Sequence, residues 1–433
     1  MFGYYLNLAL RSFKRNKALT ALMVLAIALG IGACMTTLTV FRVLSGDPIP
    51  EKSARIFYVQ LDPEPLRGMV PGDEPETQMT RFDSETLLRE KRGARQAMMT
   101  GGSVTITPER NDLPSFMSDA RYTSADFFAM FSVPFLHGNG WSAEDDTAGA
   151  RVAVISTTLN DRLFGGGNSV GRPLLVGNTE LRIAGVIDTW QPTPRFYDLN
   201  YSRYGELEDV FLPFSTSRDL KLGRNGSMNC WGDSAADETG VNAPCTWIQY
   251  WVELETAAQA SDYKAYLDNY SAQQKAAGRF ERDPNTRLRN VMEWLDFNRV
   301  VPRDVVMQLW LGLGFLLVCL LNTVGLLLAK FLRRSGEIGV RRALGASRLE
   351  IFKQCLVEAG TIGLAGGILG LGLALLGLWA VRQQPMGYAK LAYLDGSMLT
   401  TTFVLAIAAS LLAGMLPAWR AMQITPAVQL KSQ

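Results

Sequence analysis

Residues 335–354 read SGEIGVRRALGASRLEIFKQ, a charged segment set between two long charge-free stretches. The segment has its own local logic. Val340, Ala343 and Leu344 recur at i, i+3 and i+4, which puts them on one face of a helix. Glu337 and Arg341 stand four apart with the acid first, the favourable order for an ion pair along a helix. Gly345 stops that helix, because glycine takes the left-handed conformation that closes a helix without steric penalty. Ser347 followed by Glu350 is a capping box that starts the next helix. The residues thus predict a short amphipathic helix, a sharp turn, and a second helix running into the apolar stretch downstream.

The flanking stretches decide the fold class. Runs without a charged residue cover 18–41, 305–329, 359–381 and 396–419. Each exceeds the ~20 residues that a helix needs to cross a bilayer core, so four transmembrane helices are expected. Residues 45–304, between the first and second, are polar enough and numerous enough to form a separate domain with its own core. Lys and Arg set the orientation. Arg11, Lys14, Arg15 and Lys17 precede the first run; Lys330, Arg333, Arg334, Arg341, Arg342, Arg348 and Lys353 fill the loop after the second; Arg382 and Lys390 are alone after the third. Both termini and the opening segment are therefore expected in the cytoplasm, and the large domain outside. The IGAC at 31–34 resembles a lipoprotein cleavage box, but the apolar pattern continues to Leu44, where a lipoprotein would show a polar tether. An uncleaved span is the expectation. Arg333 and Arg334 read as headgroup anchors, and 293–303 as a continuous helical stalk into the second span, bent at Pro302.

The outer region reads as mixed α+β. Strands are expected at 55–61, 102–107, 115–122, 151–156, 181–188 and 247–254. Helices are expected at 83–92, at 124–131 opened by Ser124, at 157–164 and at 260–277. Cys34, Cys319 and Cys355 lie in or beside spans and read as small apolar fillers. Cys230 and Cys245 are the one pair in the outer region and bracket a loop rich in Gly, Asp and Asn. A disulfide there would staple that loop in an oxidising compartment, and two unpaired thiols are the plainer alternative.

Several chemistries are excluded or disfavoured. No GxxxxGK[ST] occurs in the 433 residues, so they hold no Walker A loop. FGGGNSVG at 164–171 lacks the Lys-Ser/Thr and reads as a turn; GLGLAL at 370–375 lies inside a span. His137 is the single histidine, which disfavours a histidine metal centre or a Ser-His-Asp triad, and it reads as a loop residue. Asp145 and Asp146 read as loop acids facing water. No catalytic, cofactor-binding or metal-binding constellation is expected. A net charge of +2 gives no reason to expect nucleic acid. In the third span, Gly363/Gly367 and Gly366/Gly370 are small-xxx-small pairs that let helix backbones approach closely. The neighbour is the same chain or a second subunit. Gln308 and Asn322 in the second span read as amides that bond to another helix, with a transport path as the alternative.

RRSGEIGVRRALGASRLEIF (333–352) resembles the coupling segment of FtsX/MacB-type permeases, the ABC transporters that work by mechanotransmission. LNLALRSFKRNKALTALMVLAIALGIG (6–32) resembles that family's entry into its first span. FFAMFSVPFLHGNGW (127–141), RVAVISTTLNDRLFGGGNSVGRPLLV (151–176) and LRIAGVID (181–188) resemble its MacB-like extracytoplasmic core, and LPAWRAMQITPAVQLK (416–431) its C-terminal tail. Thr425 before Pro426 departs from the family's usual Asp, and the insertion between Cys230 and Cys245 has no counterpart in the family pattern. The likeness implies an α-helical membrane protein of three parts: 1–44, the N-terminus and first span; 45–304, the periplasmic core domain; 305–433, the permease domain with coupling segment 333–350. It implies a multi-pass protein of the bacterial inner membrane, paired with a second permease copy or a paralogue, with a separate ATPase that holds ATP and Mg, and with a periplasmic adaptor. Glu337, Arg341, Arg342, Gly345, Ala346, Ser347 and Arg348 would then face the ATPase. The implied work is ATP-driven movement of a substrate by way of the outer domain. The rival expectation is a non-transporting regulator that activates cell-wall hydrolases, for which this outer domain is large. A kinase-coupled sensor is more remote.

Overall fold

The structure, a computed structural model, describes residues 17–109, 112–201, 203–205, 207–232, 237–385 and 387–423, together with 3, 8, 12 and 13. Arg11, Lys14, Arg15, Thr425 and Pro426, and 233–236 of the loop between the cysteines, lie outside the described residues. The chain divides into two compact units, Met1–Ser45 with Val301–Gln433, and Gly46–Val300.

Among the described residues of the first unit, four helices are long and apolar enough to cross a membrane: Lys17–Ser45, Arg303–Arg333, Arg348–Arg382 and Gly396–Met422. We call them the first to fourth spans. The first packs against the second and third, and the fourth against the second and third. Their shared core is built from side chains such as Ile27, Ile31, Leu316, Leu327, Ile362 and Ala406. Cys34, Cys319 and Cys355 are free and buried there. The outward faces stay apolar, as lipid requires: Leu25, Leu317, Ile368 and Val404 are all at least half exposed. Trp310 and Trp379 stand exposed at one end of the bundle and Trp419 at the other, the depths at which tryptophan sits between lipid and water.

The expected stalk is not continuous. The helix Val291–Phe297 is capped by Asn298, Arg299 takes φ +48°, and the second span starts anew at Arg303 with Pro302 as its N-cap. Proline at that position begins a helix and does not bend one, since its missing N–H falls where no helical partner exists.

The outer unit is built on thirteen strands among the described residues: β1 Ile56–Gln60, β2 Met79–Thr80, β3 Arg95–Thr107, β4 Phe116–Thr123, β5 Phe135–Gly138, β6 Val152–Ser156, β7 Pro173–Val176, β8 Thr179–Ile187, β9 Val210–Pro213, β10 Arg224–Asn225, β11 Asn229–Cys230, β12 Cys245–Glu253 and β13 Arg287–Asn290. The main order is β13-β1-β12-β3-β4-β9-β6-β8-β5. Side chains alternate between two cores because successive residues of a strand point to opposite faces. Val59, Met98, Ile155 and Tyr250 enter one core, while Tyr58, Met99, Val154 and Trp251 enter the other. Helices Arg81–Glu90, Thr157–Phe164 and Ala257–Ala276 supply Leu87, Leu159 and Leu267 to the first core. Asp126–Met130 and Val291–Phe297 supply Phe127 and Trp294 to the second. With both faces covered, β12 is buried along its whole length.

Three local expectations are corrected. Ser124 does not cap the helix after it: the N-cap is Ala125, and the Ser124 hydroxyl accepts from Met98 N and donates to Gln96 O on β3. His137 lies in β5, opposite Val186 of β8. Asp146 sits in the short helix Ala143–Ala148 and accepts hydrogen bonds from Ala125 N at 2.6 Å and Trp141 Nε1 at 2.7 Å. It is an anchor between segments, not a loop acid facing water.

The 188–209 connection is held by buried charge. Arg121 on β4 has no exposed side-chain surface and pairs with Asp198 at 2.8 Å and with Glu208. Arg195 stands 3.3 Å from Glu208, and the Tyr197 hydroxyl donates to Glu208 Oε2 at 2.8 Å. Cations and carboxylates balance in this group, which is the condition for burying them.

Candidate coupling site

The loop between the second and third spans holds the helix Ser335–Ala343. Glu337 accepts from Arg341 Nη2 at 3.0 Å, the i,i+4 pair along that helix. Arg341 Nη1 also donates to Gln354 Oε1 of the third span at 3.0 Å. Arg342 Nη1 donates to the Met422 carbonyl at the end of the fourth span at 3.4 Å. The helix closes at Leu344. Gly345 takes φ +99°, a conformation that a side chain would strain. Ala346 is half-buried against the span core, and its N–H donates to the Arg341 carbonyl at 3.1 Å. Ser347 and Glu350 form a reciprocal capping box that opens the third span, with Arg348 exposed in its first turn. The helical chain then runs unbroken from Arg348 to Arg382, so the third span projects beyond its apolar stretch toward the loop.

The loop helix buries Ile338 and Gly339 and turns the Val340, Ala343, Leu344 stripe outward. Leu344 is 83% exposed and Val340 54%. The stripe is flanked by Arg341, Arg342 and Arg348.

Arg334 is not a headgroup anchor, whereas Arg333 is exposed. The Arg334 guanidinium donates to both oxygens of Glu337 at 3.2–3.3 Å and to Glu358 Oε2 at 3.0 Å. Glu358, one residue before the charge-free run of the third span, also meets Lys330 Nζ at 2.7 Å and accepts from Ser12 Oγ at 2.5 Å. Sequence reasoning missed this group. The trace in the sequence is an acid and a lysine at the inner ends of two adjacent apolar runs, positions that headgroups and water satisfy as readily as a partner.

The four glycines of the two small-xxx-small pairs serve two neighbours. A Cβ at Gly363 or Gly367 would meet Ser410 or Ala406 of the fourth span. A Cβ at Gly366 or Gly370 would meet Ile27, or Ile31 and the Ala28 carbonyl, of the first span. Both pairs pack within the chain, on different faces of one helix. Gln308 and Asn322 of the second span are exposed. In the outer unit, Cys230 and Cys245 are directly opposite on β11 and β12 and joined by a disulfide.

Residues 20–270 match the model of the MacB-like periplasmic core domain, and 310–426 that of the FtsX-like permease C-terminal domain. The macrolide export ATP-binding/permease protein MacB of Azoarcus sp. is 24% identical over 433 residues, covering 98% of this chain and 59% of that protein. The pyoverdine export ATP-binding/permease protein PvdT of Pseudomonas aeruginosa is 23% identical over 424 residues, covering 96% of this chain and 57% of that protein. The chain thus spans under two thirds of the length of these curated relatives. Among solved structures, the periplasmic region of MacB from Actinobacillus actinomycetemcomitans is 12% identical with a TM-score of 0.36, covering 58% of this chain and 94% of that one.

Proposed function

The chain belongs to the family of ABC-transporter permeases with a MacB-like periplasmic core domain and an FtsX-like permease domain, and on that premise we propose that it converts ATP hydrolysis on the cytoplasmic side into movement of its periplasmic domain. It is a multi-pass inner-membrane protein with the large domain in the periplasm. The nucleotide chemistry belongs to an ATPase unit with ATP and Mg, since the 433 residues hold no Walker A sequence. The observation that carries the reading is the loop helix. It ends in a glycine turn and a capping box, and it presents Val340, Ala343 and Leu344 outward beside Arg342 and Arg348. A headgroup anchor needs none of those features. Glu337, Arg341, Arg342, Gly345, Ala346, Ser347 and Arg348 form the proposed ATPase-facing site. Apolar residues of the stripe would be covered by the partner, and the arginines would set its register.

The substrate is moved by the periplasmic domain and need not pass between the spans. Supporting this, the charged residues buried in the bundle sit at its inner end and are paired with one another. A polar route would carry ionisable groups along its length. A second copy of the permease and a periplasmic adaptor complete the proposed assembly. The test is affinity purification of the chain from membranes, followed by exchange measurements on the complex with and without ATP. An ATPase should copurify, and Gly345→Pro or Arg341→Glu should abolish the ATP response of the outer domain while leaving the chain folded. Copurification of a cell-wall hydrolase with no transport partner, or a normal ATP response in both variants, overturns the proposal.

A further inference from the structure

Glu358 receives groups from three other parts of the membrane unit. Its Oε1 is 2.7 Å from Lys330 Nζ of the second span and accepts from Ser12 Oγ, ahead of the first span, at 2.5 Å. Its Oε2 accepts from Arg334, in the connector to the loop helix, at 3.0 Å. Lys330 in turn reaches Thr20 Oγ1 of the first span at 3.3 Å. The Lys330 side chain is 0% exposed and that of Glu358 3%. From Arg334 the chain of charge continues through Glu337 to Arg341 and ends on Gln354, one helical turn before Glu358. The loop helix is therefore tied at both ends to one short stretch of the third span.

Packing alone does not hold that helix. Its nine residues bury Ile338 and Gly339, and an isolated helix of this length is unstable in water. Nor is net stability a sufficient reason for the ions. A buried ion pair is usually no better than a well-packed apolar pair, because desolvation cancels most of the attraction. What the ions supply and an apolar pair cannot is direction. Each Glu358 oxygen faces a different element, and the Arg334 guanidinium fixes Glu337 with its other edge.

We infer that Glu358 is a positioning residue that locks the loop helix to the inner ends of the second and third spans, so that a push on the helix moves all three as one body. This rests on the coupling reading above. If the lock is absent, the loop helix yields locally and the push is lost before it reaches the spans.

The test is hydrogen exchange, read by mass spectrometry, on the full chain in lipid nanodiscs with its copurified ATPase. Two variants are compared with the native chain: Glu358→Gln, and the double variant Lys330→Met with Glu358→Met. The double variant removes both charges together, so no unpaired ion is left to unfold the bundle. In both, amides of Ser335–Ala343 should exchange at least about tenfold faster, as for a helix that opens locally, with the spans still protected. The ATP-dependent change in exchange of the outer domain should fall by a similar factor. Native exchange of the loop helix in the double variant overturns the inference. So does an intact ATP response in a variant whose loop helix has loosened. A native chain with no ATP response would instead count against the coupling reading, and the exchange of the loop helix would still decide whether Glu358 locks it.

Discussion

A Cβ on Gly363 would run into both the hydroxyl oxygen and the Cβ of Ser410, so the third and fourth spans meet there with no room for a methyl group. Ser410 Cβ is one bond from its backbone and cannot swing away. Gly363→Ala should therefore force the two helices apart and destabilise the bundle by about 1–3 kcal/mol, the usual cost of overpacking. Gly372 on the same span has nothing within 4 Å of its Cβ position, so Gly372→Ala should leave the bundle unchanged. Thermal unfolding of both variants in detergent checks the pair. Equal melting temperatures would mean that the two spans do not pack through Gly363.

The buried charges of the outer unit predict a pH dependence. Burial by itself would push the Glu208 carboxyl up, but Arg121 and Arg195 outweigh it and hold it down at about 2. An unfolded glutamate titrates at about 4.3. A carboxylate lowered on folding contributes stability above its unfolded value and loses it as pH falls toward the folded one. Glu208→Gln should thus cost on the order of 3 kcal/mol near neutral pH, because Arg121 is left with Asp198 alone. The gap between native and variant melting temperatures should narrow as pH drops from about 4.3 toward about 2. A gap that does not change with pH would show that the deleted interaction is not ionic.

How much of this was legible beforehand depends on the range of the forces involved. The four spans could be read because a bilayer demands a long apolar run from each segment by itself. The glycine turn and the Ser347–Glu350 box could be read because capping is settled by neighbours in the chain. Lys330 and Glu358 could not be paired, since 28 positions separate them and their contact depends on how two helices pack. Arg334 looked like Arg333 for the same reason. The break before the second span turns on Arg299 at positive φ, which no residue type announces outside glycine, asparagine and aspartate. Ser124 fails as a cap because its hydroxyl finds strand backbone in space before helix backbone in sequence. The outer fold as a whole was legible only as a class, because its strand order joins segments far apart in the chain.

The Cys230–Cys245 bond closes a loop with a sequence separation of 15. Restricting a loop of that size in the unfolded chain contributes about 3 kcal/mol. Cys230→Ser with Cys245→Ser should lower the melting temperature of the outer unit accordingly and speed proteolysis between β11 and β12. The double variant is the fair comparison, since a single one leaves a reactive thiol. If the double variant melts with the native chain, either the bond is not formed in the cell or the loop is ordered without it; non-reducing peptide mapping separates the two.

Asn322 predicts where the proposed second copy sits. It is exposed near the middle of the second span, on a face that carries Leu311, Phe315 and Val318 at 67%, 45% and 54% exposure, with Gln308 further along the same stripe. The spacings 308, 311, 315, 318, 322 alternate between three and four, the seam of one helix on another. An amide turned toward lipid lacks partners, whereas one turned toward its symmetry mate gains a pair of hydrogen bonds worth about 1 kcal/mol or less each. Asn322→Leu keeps the apolar seam and removes only those bonds, so dimers should weaken modestly, by about three- to tenfold in dissociation constant. Val318→Arg places a charge in the seam and should abolish association. Single-molecule photobleaching in vesicles at decreasing protein-to-lipid ratio measures both. A cysteine at 322 should in addition cross-link to its own copy under mild oxidation. Dimers whose affinity is unchanged by Asn322→Leu and that fail to cross-link at 322 would move the second copy to another face.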